Sequence, residues 1–239
     1  MTDARCGRAG TRRRTVRDPD DGRTMTMDHM RTPATDGEDN ANEGNDDVTA
    51  RKTALRHDAF RRRRAIGDAE RRRAGIRLAD AAERSGILDG VGTVAAYVSM
   101  GTEVPTTPML RMMLAHGIRV LVPRLGSGRD LGWGVMDDAD ALHDAGGSRP
   151  DEPGGAVLDA DAIAGADLVV TAAVLADRTG VRLGRGGGWY DRALARRRIG
   201  TPVVAVVWPW EVVDGRLPRE THDVAVNGVL TPDGVAVFV

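Results

Sequence analysis

The chain has 239 residues, 41% of them hydrophobic, which is enough for one apolar core; aromatics at 3% leave that core to Val, Ala and Leu. Its 34 basic and 35 acidic side chains give a formal net charge of −1, which excludes a global electrostatic pull toward nucleic acid or an anionic membrane. No apolar run approaches the roughly 18 residues of a membrane-spanning helix, and the single cysteine, Cys6, excludes a disulfide framework and a thiolate metal site. The cytoplasm is the expected compartment.

Residues 1–48 are rich in Asp, Asn, Gly, Thr and Arg and cannot bury enough apolar surface to offset ordering entropy, so a disordered leader is expected. Its basic start resembles a transit peptide, but the acidic stretch Asp36 to Asp47 argues against one. Residues 49–239 read as a single domain. Residues 50–66 and 68–85 are predicted helices, with Leu55, Ala59 and Ile66 at near-helical intervals, Asp68 as a cap and Ser85-Gly86 as a stop. Arg61–Arg64 and Arg71–Arg73 point around these helices among interleaved acids, which reads as solvated surface rather than an RNA site.

Strands and helices then alternate. Thr93–Val98 is a β-rich run, Thr107-Pro108 opens a helix with a capping hydroxyl that Gly117 closes, and Arg119–Val122 is the next strand. Leu131–Met136, Asp167–Leu175, Pro202–Trp208, Val224–Leu230 and Val235–Val239 complete the set, with a polar Gly/Pro loop at 144–155. Val-rich strands separated by helices predict an α/β fold, a three-layer sandwich around a mostly parallel, Rossmann-like sheet. Ligands of such sheets sit beyond the carboxyl ends of the strands, and both 99–106 and 182–191 follow strands.

Residues 182–192, Arg-Leu-Gly-Arg-Gly-Gly-Gly-Trp-Tyr-Asp-Arg, lie between an apolar run and a helical pattern at Tyr190–Arg198. Glycines let backbone N–H groups approach an anion, a helix N-terminus adds donors, and the arginines and Asp191 offer charge for phosphates and a hard ligand for magnesium. Neither standard nucleotide signature fits. No Gly-Lys-Ser/Thr is present, Trp189 stands where a dinucleotide fingerprint needs its third glycine, and 203–207 carry no acid. Lys52 is the only lysine, and a compact ammonium is not interchangeable with a guanidinium at a close phosphate contact.

The 182–192 string resembles the hallmark of the 5-formyltetrahydrofolate cyclo-ligase family. Lys52-Thr53-Ala54-Leu55-Arg56, Glu103-Val104-Pro105-Thr106, Val120–Pro123, Asp151-Glu152-Pro153, Ala176–Gly180, Leu217-Pro218 and His222-Asp223 follow in that family's order, from about residue 50 to the end. The resemblance implies ATP- and Mg²⁺-dependent conversion of 5-formyltetrahydrofolate into 5,10-methenyltetrahydrofolate, with ADP and phosphate released. In it the formyl oxygen is phosphorylated and N10 attacks before phosphate departs, chemistry that rests on positioning and charge neutralisation.

By matching position the resemblance also implies roles. Lys52 and Arg185 would be catalytic. ATP would be held by Lys52, Thr53, Ala54, Leu55 and Arg56, and by Arg182, Leu183, Gly184, Arg185, Gly186, Gly187, Gly188, Trp189 and Tyr190. Asp191 and Asp223 would bind the metal. Val98, Glu103, Trp133 and Tyr190 would meet the folate, with Trp133 either stacking on its rings or filling the core, the core reading being favoured. A monomer acting on a small molecule is expected, with no membrane or nucleic-acid partner. The chain departs from the family at Trp189, where Tyr or Phe is common, and at Trp208-Pro209-Trp210-Glu211, where many members have Tyr-x-x-Gln. A non-catalytic folate-, nucleotide- or RNA-binding member is the alternative, and a sugar-phosphate isomerase or CoA transferase on a similar sheet a more distant one.

Overall fold

A computed structural model describes residues 15–17, 24–26, 44–124, 131–146 and 149–238. Short strands β1 (Thr15–Arg17) and β2 (Thr24–Thr26) come first, then helices α1 (Gly44–Arg64) and α2 (Asp68–Arg84). β3 (Thr93–Ala95), α3 (Thr107–Ala115), β4 (Arg119–Pro123) and β5 (Trp133–Met136) follow. Next are β6 (Leu168–Ala172), β7 (Leu175–Asp177), β8 (Arg182–Leu183) and the six-residue α4 (Trp189–Leu194). β9 (Val203–Val206), β10 (Val212–Val213), β11 (Gly228–Thr231) and β12 (Gly234–Val237) end the chain.

The Val-rich runs form a seven-stranded sheet in the order β12-β11-β9-β6-β3-β4-β5. Its five middle strands pair in parallel, and β12 and β5 close the edges antiparallel. Side chains alternate between two cores: Val94, Leu168, Val170, Val204 and Val206 face one way, Ala95, Val169, Val203 and Ala205 the other. Ala74, Leu78 and Ala82 of α2 with Met109, Leu110 and Met113 of α3 cover the first face. Ala193 and Leu194 of α4 with Ile163, from the 3-10 turn Ala160–Gly165, cover the second. This is the expected three-layer α/β arrangement.

Within the leader, β1 and β2 pair antiparallel, with Val16 opposite Met25; the rest of residues 1–43 lies outside the described residues. Several local expectations are corrected. Neither Asp68 nor Thr107 caps its helix by a side chain: Gly67 and Thr106 hold the N-cap positions. Thr106 Oγ1 instead donates to the Tyr97 carbonyl and accepts from Ser99 N–H, tying β3's exit to α3. The helix expected to run to Arg198 stops at Leu194, because Arg196 and Arg197 N–H turn back to carbonyls three residues earlier.

A second sheet, β10-β7-β8, stands beside the first. Strands of two or three residues leave no periodic signal in sequence. Leu175, Val181, Leu183 and Leu217 form a small core here, on which Ala59 of α1 packs. The buried positions of α1 are Lys52, Ala59 and Arg63, with Arg56 half-buried, and intervals of four, three and four put them on one stripe. That stripe is basic rather than apolar.

Candidate active site

The loops after β3 and β6, the glycine loop after β8, the start of α1 and the segment at 217–223 meet at the carboxyl edge of the sheet. They enclose a cavity of about 270 Å³. From α1, Lys52 Nζ lies 2.6 Å from both Glu220 Oε2 and Asp223 Oδ2. Burial pulls this ammonium's pKa down, but the hydrogen bonds to Asp223 and Glu220 outweigh it and raise it overall. One turn on, Arg56 Nε donates to the Gly184 carbonyl at 2.8 Å, fastening the arm to the glycine loop.

That loop starts at β8, where Arg182 is buried and its Nη2 donates to Asp191 Oδ1 at 2.7 Å. The Asp191 Oδ1 also accepts from Val224 N–H at 3.2 Å, so it is fixed beside the residue that follows Asp223. Asp191 does not cap α4; Gly188, with φ of 60°, is the N-cap. Gly186, with φ of 104°, also needs a backbone that other residues rarely adopt. A Cβ at Gly184 or Gly187 would meet nothing within 4 Å, so the cavity wall there is bare backbone. Arg185 reaches back over the mouth, its Nη1 3.8 Å from Glu103 Oε1, and its side chain is 49% exposed.

Glu103 is buried, and its Oε2 accepts from Met100 N–H at 2.9 Å. Burial raises its pKa; the Met100 hydrogen bond and the charges of Arg63 and Arg185 oppose the rise without cancelling it. Burial likewise raises the phenols of Tyr97 and Tyr190, with the nearby Glu103 charge adding to both, so each keeps its proton to donate. The Tyr190 hydroxyl is shielded from solvent and has no hydrogen-bond partner among the described residues.

Of the residues expected at the site, Lys52, Arg56, Val98, Glu103, Arg182 to Asp191 and Asp223 all line the cavity. Thr53, Ala54 and Leu55 do not: Thr53 and Ala54 face solvent, Thr53 Oγ1 donates to the Thr49 carbonyl, and Leu55 packs on the small core. Trp133 stands apart too. It is fully buried on β5, edge-on to Trp189 at 5.2 Å, with Nε1 donating to the Ala160 carbonyl, so no face is left for a ligand. Tyr97, Ala173 and Glu220, which the sequence does not single out, and His222, quoted without a role, also line the cavity. Glu220 was within reach of a sequence reading, lying between the Leu-Pro and His-Asp pairs of one short segment.

The donor set suits a magnesium nucleotide. Ammonium and guanidinium groups converge on open glycine backbone, and hard carboxylates stand next to them. Ligand atoms of Glu220, His222 and Asp223 fall within 4.8 Å of one another. α4 is too short for its dipole to carry the attraction, which rests on side-chain charge. Among the described residues no helix is long and apolar enough to cross a membrane.

Comparison with known proteins places the chain in a family. The profile of the 5-formyltetrahydrofolate cyclo-ligase family matches residues 48–232. A 5-formyltetrahydrofolate cyclo-ligase of Mycolicibacterium smegmatis is 36% identical over 190 residues, 76% of this chain and 93% of that protein. One from Mus musculus is 25% identical over 79% of this chain and 97% of its own length. The solution structure of Aquifex aeolicus 5,10-methenyltetrahydrofolate synthetase superposes with a TM-score of 0.66 at 25% identity, covering 78% of this chain and 92% of that one. With the profile spanning well over half of the sequence, the chain belongs to the 5-formyltetrahydrofolate cyclo-ligase family, whose members are carbon–nitrogen ligases.

Proposed function

We propose that this protein uses ATP and Mg²⁺ to convert 5-formyltetrahydrofolate into 5,10-methenyltetrahydrofolate, releasing ADP and phosphate. The observation that carries the reading is one cavity in which Lys52, Arg182 and Arg185 meet Asp191, Asp223 and Glu103. A formyl oxygen on N5 is a poor leaving group. Transfer of the γ-phosphoryl group to it, with ADP leaving, makes that oxygen part of a phosphate; N10 then bonds to the formyl carbon and gives up its proton to solvent, and the C–O bond breaks as phosphate leaves.

Lys52, Arg56 and Arg182 bind the phosphates together with the bare backbone of 184–188. Arg185 is exposed enough to leave Glu103 and follow the charge on the transferring group. Magnesium held by Asp191 and Asp223 supplies further neutralisation of phosphate charge. Glu103 accepts N–H bonds of the pterin, with Val98 and Tyr190 beside it. Every group in this scheme comes from one chain, which fits a monomer. The paired arginines of the outer helix surfaces, Arg61 with Asp58 and Arg73 with Glu70, give no support to an RNA-binding role.

The test is near-UV absorbance of the methenyl product from purified protein with 5-formyltetrahydrofolate, Mg²⁺ and ATP. Product is expected only with ATP, and Asp191→Asn and Asp191→Ala should both abolish it. Folate and ATP binding without product would overturn the scheme in favour of a non-catalytic member.

A further inference from the structure

Arg63 and Glu211 form an ion pair whose side chains are 1% and 0% exposed, at the far end of the basic stripe of α1. The sequence gives no warning of it: Arg63 sits within four consecutive arginines, and Glu211 lies 148 residues away. The pair is bidentate, with Arg63 Nε donating to Oε1 at 2.5 Å and Nη2 to Oε2 at 2.8 Å. Arg63 Nη2 also donates to the carbonyl of Ala173, a cavity-wall residue, at 2.7 Å. Glu211 Oε2 accepts from Trp208 N–H at 2.9 Å, and Trp208 Nε1 donates to the Thr102 carbonyl at 3.1 Å. Thr102 precedes Glu103.

A continuous chain of hydrogen bonds thus runs from the helix bearing Lys52 and Arg56, past the cavity wall, to the loop bearing Glu103. Stability alone does not explain such a pair, because two buried charges replaced by apolar groups of similar volume generally leave a protein as stable or more so. A planar guanidinium with several fixed donors can instead hold three elements in one mutual geometry. We infer that Arg63 and Glu211 are a positioning pair that fixes the phosphate-binding arm of α1 relative to the Glu103 loop. The inference rests on the reaction proposed above, in which a phosphoryl group must cross from one side to the other. Neither residue is assigned to touch substrate.

The experiment compares wild type, Arg63→Lys and the double variant Arg63→Met/Glu211→Leu. It reads the denaturant midpoint, kcat, KM for both substrates, and affinity for Mg²⁺·ATP by calorimetry without folate. The double variant is expected to keep the wild-type midpoint while kcat falls about a hundredfold and both KM values rise, the penalty of a small misplacement of reacting groups. Arg63→Lys keeps the charge balance but cannot serve Glu211 and Ala173 with the same fork. It is expected to keep its midpoint and lose about tenfold in kcat and in nucleotide affinity. Wild-type kinetics in a folded double variant, or in Arg63→Lys should the double fail to fold, would overturn the inference and leave the pair purely architectural. If the wild type itself makes no product, the proposed reaction fails and the calorimetric comparison alone judges the pair, unchanged affinity counting against it.

Discussion

Lys52 is the only lysine in the sequence, and its Nζ sits 2.6 Å from carboxylates of Glu220 and Asp223 that come together only in the fold. A guanidinium is too broad for that slot, so Lys52→Arg is expected to fold yet lose about two orders of magnitude in kcat, checked by the absorbance assay beside a circular dichroism spectrum. The ammonium's raised pKa fixes the sign of its contribution to stability. The tie it makes is fully present below 10.5, the ordinary lysine value, and is lost only as pH climbs through the higher folded value. Glu103 has a raised pKa as well, with burial as the main cause, but a carboxyl group works in the opposite sense for binding. In the role proposed for it, the form that would accept pterin N–H bonds is reached only above the usual 4.5, so kcat/KM for folate should fall on the acid side at a pH above that value. The same shift favours the neutral carboxyl in the folded protein, so its contribution to stability is present at low pH and lost as pH rises through the folded value. Glu103→Gln should flatten the acid limb of the pH profile; an unchanged limb would assign it to another group. At this scale the sequence was informative wherever a residue belonged to a run of chemically mixed neighbours, as in 182–191. It left two roles open at Trp133, where an aromatic side chain reads the same whether it stacks on a ligand or fills a core; the core role is the one the fold takes.

Among the elements, α1 is the one whose pattern conflicts with its role. Sequence logic looks for an apolar stripe and finds Leu55, Ala59 and Ile66, whereas the inward stripe runs Lys52, Arg56, Ala59, Arg63. A helix that docks by buried cations cannot be recognised from hydrophobic periodicity, because its partners, Glu211, Glu220 and Asp223, lie more than 140 residues away. The parallel sheet was legible for the opposite reason: its Val-rich strands are buried on both faces and read as continuous apolar runs. The small β7–β8–β10 sheet was not, yet it helps to locate Asp191 and Asp223. Its turn at Gly180, with φ of 85°, lies so close to the following chain that a Cβ would stand 2.4 Å from the Val226 carbonyl oxygen. The Gly180 carbonyl accepts Val226 N–H at 2.8 Å, and Val226 is three residues beyond Asp223. Gly180→Ala must therefore push back the segment carrying Asp223. It is expected to cost about 2 kcal/mol or more in chemical denaturation and, on the proposed reaction, to raise the magnesium concentration needed for half-maximal activity.

For the whole molecule, every described residue that lines the cavity lies in α1 or after it. A chain begun at Gly44 is expected to keep the kcat and both KM values of the full-length protein, which side-by-side kinetics would check; a fall in either would give the leader a part in binding or turnover. The cavity's own charge has a consequence for selectivity. Among the described residues, Lys52, Arg56, Arg182 and Arg185 line it together with Glu103, Asp191, Glu220 and Asp223, four positive groups against four negative. A lone anion entering here finds Lys52, Arg182 and Arg185 each already beside a carboxylate, and a lone cation finds those carboxylates beside a basic group. Only a guest that brings both signs at once can exchange partners with every pair and leave nothing stranded. The protein should thus discriminate between salts rather than between ions. Inorganic phosphate should be a poor inhibitor, and titration calorimetry should find ATP bound at least about tenfold more weakly when magnesium is withdrawn, a difference of ~1.4 kcal/mol.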